Sequence, residues 1–215
     1  MNVAVLPARY RSIWISDGHL GTRSCKAEFL LEFLRHTESD YLYLVGDIVD
    51  GWALKRDWYW PEAHNRVVAE ILRKVESGTR VIYVPGNHDE ALRDYTGVSL
   101  AGVELQSEAI HKTADGKQLL VIHGDQFDGI IAYARWLAYL GDRAYGLALT
   151  VNTLFNAVRK WLGMPYWSLS AYLKLKVKNA AKFISVGESA LAREARSRGV
   201  DGVVCGHIHH AEMRE

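Results

Sequence analysis

The chain has 215 residues, 49% hydrophobic and 24% charged, with a net charge of +1. It is long enough for one sizeable core, and its composition excludes a disordered polypeptide, while the whole-molecule charge names no partner. Cys25 and Cys205 lie far apart and form no CxxC pair, which excludes a thiolate zinc site and suits a reducing cytosol. No basic segment precedes an apolar run at the N-terminus, so no signal peptide is expected. The uncharged run "AYGLALTVNTLFNAV" is too short and too polar to span a bilayer. The expectation is a cytosolic protein, with room for a peripheral membrane contact.

In chain order, "RSIWIS" reads as a strand running into Asp17, and "CKAEFLLEFLRHT" as an amphipathic helix. A second strand, "YLYLV", runs into Gly46-Asp47. A second helix, "PEAHNRVVAEILRKVE", carries Pro61 near its first turn and is followed by Gly78. "RVIYVP" runs into Gly86-Asn87. The turn signal Asp115-Gly116 within "GVELQSEAIHKTADGKQLLVIHGD" predicts a hairpin, whose second strand runs into His123. Only helical patterns occupy 126–198, and "DGVVC" then runs into Gly206-His207. Near-continuous apolar strands alternating with helices predict a layered α/β domain with mixed sheets. Its core would be 1–125 and 199–215, with 126–198 as a helical insertion forming a cap.

The polar residues that follow the strands are Asp17 and His19; Asp47; Asn87, His88 and Asp89; His123 and Asp125; and His207 and His209. One such group has an ordinary explanation as a cap or turn. Five at strand ends, which layered α/β domains gather at one edge, point to a site. Two Asp, four His and one Asn are too many ligands for one tetrahedral zinc and suit two first-row ions such as Mn, Fe or Zn. Such a pair clamps a phosphoryl group and activates a water near neutral pH.

The set "SDGHLG", "LVGDIVDG", "VPGNHDE", "IHGDQFD" and "CGHIHH" resembles the signature of the calcineurin-like metallophosphoesterases. The resemblance spans about residues 11–210 and implies a four-layer αββα sandwich with a dinuclear site at the strand ends. It implies that Asp17, His19 and His209 hold one metal and Asn87, His123 and His207 the other, with Asp47 bridging. His88 would contact the phosphate or leaving oxygen without binding metal, acting with Asp47 in catalysis, while Asn87 and His207 would also face the substrate.

The long insertion resembles that of the UDP-2,3-diacylglucosamine diphosphatases of lipid A synthesis. That likeness implies hydrolysis of a pyrophosphate bond to give UMP and 2,3-diacylglucosamine 1-phosphate, a preference for Mn²⁺, and a cap over acyl chains. Residues 129–183 hold eight Lys/Arg, one Asp and ten of the 23 aromatics, a fit for acyl chains, diphosphate and anionic head groups. Lys174, Lys178 and Lys182 share a helix face at i, i+4, i+8, and Asn179 with Lys182 matches the family's Asn-x-x-Lys pair. Asp128 is the better candidate for substrate contact beyond His123, with Asp125 the other nearby carboxylate. The Trp-rich "DGWALKRDWYWPE" lines the nucleotide or sugar side of the pocket or packs the cap.

Two positions depart from the resemblance: His88 stands where the best-known diphosphatases carry Arg, and Leu175 where a Ser precedes the Asn-x-x-Lys pair. Asp50 reads as a turn residue; His36, His64 and His111 read as structural, and His210 as pointing away from the site. The rival readings are the same chemistry on another phosphodiester or phosphomonoester, and a non-catalytic scaffold. The ligand set argues against the scaffold, and the apolar insertion against nucleic acid, which needs a positive groove. Family members continue past "GHIHH" with further strands, so the final sheet is expected to be incomplete or the chain truncated.

Overall fold

The computed structural model describes residues 7–129, 155, 156, 158–164, 185–209 and 213, with the backbone alone at 185–189. Two compact units emerge, residues 1–125 with 195–215, and residues 126–194.

The first unit is built on β1 (Ala8–Ile15), β2 (Thr37–Val45), β3 (Arg80–Val84), β4 (Ser99–Leu100) and β5 (Val103–Leu105), ordered β1-β2-β3-β5-β4. All neighbours pair in parallel except β4 and β5. A second sheet contains β6 (Ala109–Lys112), β7 (Gln118–Val121) and β8 (Gly202–Val204) in that order. There β6–β7 is antiparallel, the hairpin expected around Asp115-Gly116, and β7–β8 is parallel. Both sheet classes are thus represented, as in the α/β sandwich that the motifs imply.

The unbroken apolar runs have a direct cause. Successive side chains of a strand point to opposite faces, and both faces of β2 and β3 are covered. Leu42, Leu44, Val81 and Tyr83 enter one core with Leu31 and Leu34 of α1 (Ala27–His36) and Val67 and Ile71 of α3 (Glu62–Glu76). Tyr43, Val45, Ile82 and Val84 enter the other, against Ala109 and Val121 of the second sheet. Helix layer, larger sheet and smaller sheet therefore stack in that order. On α1 the buried Ala27, Leu31 and Leu34 recur at i, i+4, i+7, and each buried Leu stabilises by roughly 1.5–3 kcal/mol.

Three features depart from the sequence reading. The strand β2 begins at Thr37, directly after α1, because Thr37 and Ser39 turn inward while Glu38 and Asp40 face solvent. The short ribbon β4–β5 and the six-residue helix α2 (Gly51–Arg56) were not anticipated. A further helix, α4, is Ser185–Arg198. No helix among the described residues is long and apolar enough to cross a membrane.

Candidate metal centre

Strands β1, β2, β3, β7 and β8 each end two or three residues before a candidate ligand, and the first unit brings those ligands together. Metal-binding atoms of Asp17, His19 and His209 lie within 4.8 Å of one another, as do those of Asp47, His123 and His207, and those of His19, Asp47 and His88. Asp47 belongs to two of these groups and so sits between them. Asn87 follows β3 in the same loop as His88, with its side-chain Oδ1 buried.

The backbone is bent to achieve this convergence. Asp17, His19, Asp47, His207 and His209 all have positive φ, between 47° and 71°, and Ala101 alone among the other described non-glycine residues joins them. Left-handed conformations cost non-glycine residues free energy and persist where surrounding structure enforces them, commonly at functional sites. Two glycines clear the space. A Cβ on Gly86 would collide with the Asp47 carboxylate and the His123 ring, and one on Gly46 with the His123 ring.

The hydrogen bonds reveal what the site lacks. His123 Nδ1 lies 3.0 Å from the Val45 carbonyl, which can only accept, so Nδ1 carries the proton. Its Nε2 lone pair then faces Asp47 Oδ2 at 3.3 Å, an acceptor opposite an acceptor with no hydrogen bond made. At His19, Nδ1 donates to Asp50 Oδ2 at 3.1 Å, which leaves Nε2 as an acceptor facing His209 Nε2 at 3.4 Å, where His209 donates in one of its tautomers. His209 Nε2 also lies 3.4 Å from Asp17 Oδ1. The buried, mutually facing acceptors of His123 and Asp47 call for a cation or proton between them. The buried Asn87 Oδ1, with no donor, adds a third acceptor of this kind. Carboxylate, imidazole and amide oxygen are donors suited to divalent first-row ions, so the residues fit such ions.

Asp47 is 1% exposed. Burial works to raise its pKa, but the adjoining His123 imidazole and the His88 N–H, with the charges of both imidazoles, bring it down to about 2. Burial depresses His123, yet the adjoining Asp47 carboxylate and the Val45 carbonyl prevail and its pKa is raised.

A model of the calcineurin-like phosphoesterases matches residues 10–211. The chain belongs to that family. This phosphoesterase is accordingly a metal-dependent hydrolase, with divalent ions implied at the cluster just described. It is 25% identical over 213 residues to the UDP-2,3-diacylglucosamine hydrolase of Chromohalobacter salexigens, covering 95% of this chain and 82% of that protein. The enzyme of the same name from Neisseria gonorrhoeae is 27% identical over 209 residues, covering 94% and 83%. That of Cellvibrio japonicus is 25% identical over 222 residues, covering 92% and 81%. Among solved structures, the Pseudomonas putida nuclease MPE matches with a TM-score of 0.29 and 15% identity, over 44% of this chain and 46% of that one.

The phosphoesterase site also contains a carboxylate whose role the sequence reading missed. Asp50, read as a turn residue, accepts from Ala53 N at 2.7 Å and so caps α2. Its other oxygen lies 3.1 Å from His19 Nδ1 and 3.0 Å from His88 Nδ1. Burial pushes the Asp50 pKa up, but the Ala53 N–H and the His88 and His19 bonds outweigh it and hold it below the usual carboxylate range. The signal available was a second Asp three residues after Asp47. Asp89 fixes the loop that carries Asn87 and His88. It accepts from Tyr83 Oη at 2.5 Å, Gly86 N at 2.5 Å and Ile48 N at 3.0 Å.

Asp125 accepts from Arg93 Nη2 at 2.7 Å, which ties the loop after β7 to the 3-10 turn Glu90–Tyr95. Asp128 is exposed and belongs to the second unit. Lys178, Asn179, Lys182 and His210 lie outside the described residues. His64 and His111 are buried; His64 Nδ1 accepts from Gly21 N at 3.1 Å, and both nitrogens of His111 meet hydroxyls.

Proposed function

We propose that this phosphoesterase hydrolyses the pyrophosphate bond of UDP-2,3-diacylglucosamine, giving UMP and 2,3-diacylglucosamine 1-phosphate. The chemistry rests on one observation, the His123 Nε2 lone pair facing the buried Asp47 carboxylate, within a cluster where His19, Asp47 and His88 link the two outer ligand groups. The substrate rests on the relatives of that name, which align over 92–95% of this chain.

Asp17, His19 and His209 would hold one ion and Asn87, His123 and His207 the second, with Asp47 serving both. Mn²⁺ is the first candidate, with Fe or Zn as alternates. Two such ions supply Lewis-acid charge on the phosphate and an activated water. The remaining work belongs to the chain. Asp50 fixes the His19 tautomer, so that Nε2 is free to ligate, and holds the His88 ring beside it. Held there, His88 is positioned to stabilise charge on the phosphate or leaving oxygen. The Val45 carbonyl does for His123 what Asp50 does for His19.

The insertion 126–198 would serve as the cap, its aromatic content suited to acyl chains. Lys178, Asn179, Lys182 and Asp128 are the candidate contacts for the polar half of the substrate. A lipid substrate places the enzyme in the cytoplasm, in peripheral contact with the inner membrane.

The test is UMP release from UDP-2,3-diacylglucosamine by purified protein with Mn²⁺, run beside an aryl phosphodiester. Release of UMP supports the reading. Cleavage of the aryl ester alone would leave a phosphoesterase of another substrate, the direction in which His88 in place of Arg points.

A further inference from the structure

Beside His88, on the side formed by α2 and the Glu90–Tyr95 turn, lies a cavity of about 250 Å³ lined by Val49, Trp52, Lys55, His88, Glu90 and Leu92, among others. We infer that this cavity is the subsite for the uracil ring of the nucleotide half of the substrate, with Trp52 as its recognition platform. The inference rests on the substrate reading above and adds to it where the base sits and which residue selects it.

Size restricts the occupant. Pockets that enclose a whole drug-sized ligand run to roughly 300–1,000 Å³, so this cavity suits one ring system and not a pair of acyl chains. Its position restricts it further. His88 is both a wall of the cavity and, with His19 and Asp47, part of the ligand cluster. A group seated there would thus be joined to the reacting phosphate by a short linker, as a nucleobase is by its ribose.

The lining supplies suitable chemistry. The Trp52 indole is 46% exposed and packs at 4.4 Å on the His88 ring. Its Nε1 donates to Glu90 Oε1 at 3.1 Å, which fixes the plane of the ring. A rigid, half-exposed indole is a stacking surface for a flat heterocycle. The lining is almost wholly apolar, with Lys55 and Glu90 entering it chiefly through their alkyl stems, so it offers a stacking site to the base. The side chains of Val49 and Leu92 supply apolar contact.

Isothermal titration of the full chain with Mn²⁺, using UMP and ribose 5-phosphate as probes, tests the inference. UMP should bind about tenfold or more tightly than ribose 5-phosphate, on the scale of one base–aromatic stack. Trp52→Ala should erase most of that difference and leave ribose 5-phosphate binding unchanged, which also reports a folded site. Trp52→Phe should keep part of the preference, and Leu92→Trp, which fills the cavity, should remove it. Equal weakening of both probes by Trp52→Ala, no effect on either, or no UMP binding by the native chain overturns the inference. Hydrolysis of UDP-2,3-diacylglucosamine without a Trp52-dependent base preference removes the subsite and keeps the proposed reaction. Trp52-dependent UMP binding without that hydrolysis supports the subsite and removes the proposed substrate.

Discussion

Two sets of histidines occupy this fold, and they differ in what their nitrogens face. In the core, His111 sits between the sheets with Ser12 Oγ at 3.0 Å from Nε2 and Tyr43 Oη at 3.0 Å from Nδ1, its ring edge-on to Trp14, Tyr41 and Tyr43. Hydroxyls can donate or accept, so a neutral imidazole is satisfied there whichever nitrogen carries the proton. At the strand ends, His123 spends one nitrogen on the Val45 carbonyl and aims the other at the Asp47 carboxylate, while His19 spends one on Asp50 and aims the other at His209. The core set is complete as a protein structure. The strand-end set aims nitrogens at further ligands, a place for a cation or a proton. Burial alone does not separate them, since His111 and His123 are 3% and 2% exposed.

The largest expected break in this contrast comes from Asp47. Asp47→Ala removes the carboxylate shared by two ligand groups and should lower hydrolysis by at least about 10²-fold, the scale of losing an electrostatic group at the reacting centre. Metal content measured by mass spectrometry should fall below that of the native protein, whereas His111→Ala should leave it unchanged. Asp50→Asn tests the orienting carboxylate and should cost roughly 10–100-fold in metal affinity or turnover, read by Mn²⁺ titration. His111→Ala leaves two hydroxyls without their partner and a small void, and should lower stability by about 2–3 kcal/mol in urea denaturation.

The smallest effect is on pH dependence. Burial lowers the pKa of His64, and burial with the nearby Arg11 charge lowers that of His111. The unfolded chain therefore takes up protons first as pH falls. The stability due to these neutral imidazoles is fully present above about 6.5, the ordinary histidine value, and is lost as pH falls below it toward the folded-state values. Melting temperature should decline below that pH, and His111→Gln should flatten part of the decline.

Most of the fold was legible because both faces of β2 and β3 are covered, which makes their apolar runs conspicuous. The ligand candidates were legible because each follows such a run. Asp50 was not. Its partners, His19 and His88, are 31 and 38 residues away, and nothing local distinguishes an Asp that caps α2 from one that also orients two imidazoles. The ribbon β4–β5 escaped notice because strands of two and three residues carry no periodicity. Thr37 and Ser39 hid the start of β2, since a polar pair facing inward breaks the expected pattern. The contacts proposed for Lys178, Asn179 and Lys182 remain a matter for mutagenesis of the insertion.

The Asp17 carboxylate accepts the His207 N–H at 3.0 Å across 190 positions of sequence. On a ribosome, Asp17, Asp47, Asn87 and His123 would emerge long before His207 and His209, and a nascent chain stopped between them would display carboxylates and imidazoles with no closed site. Loading of the ions would thus follow synthesis of β8 and the loop after it, joining the end of β1 to the end of β8.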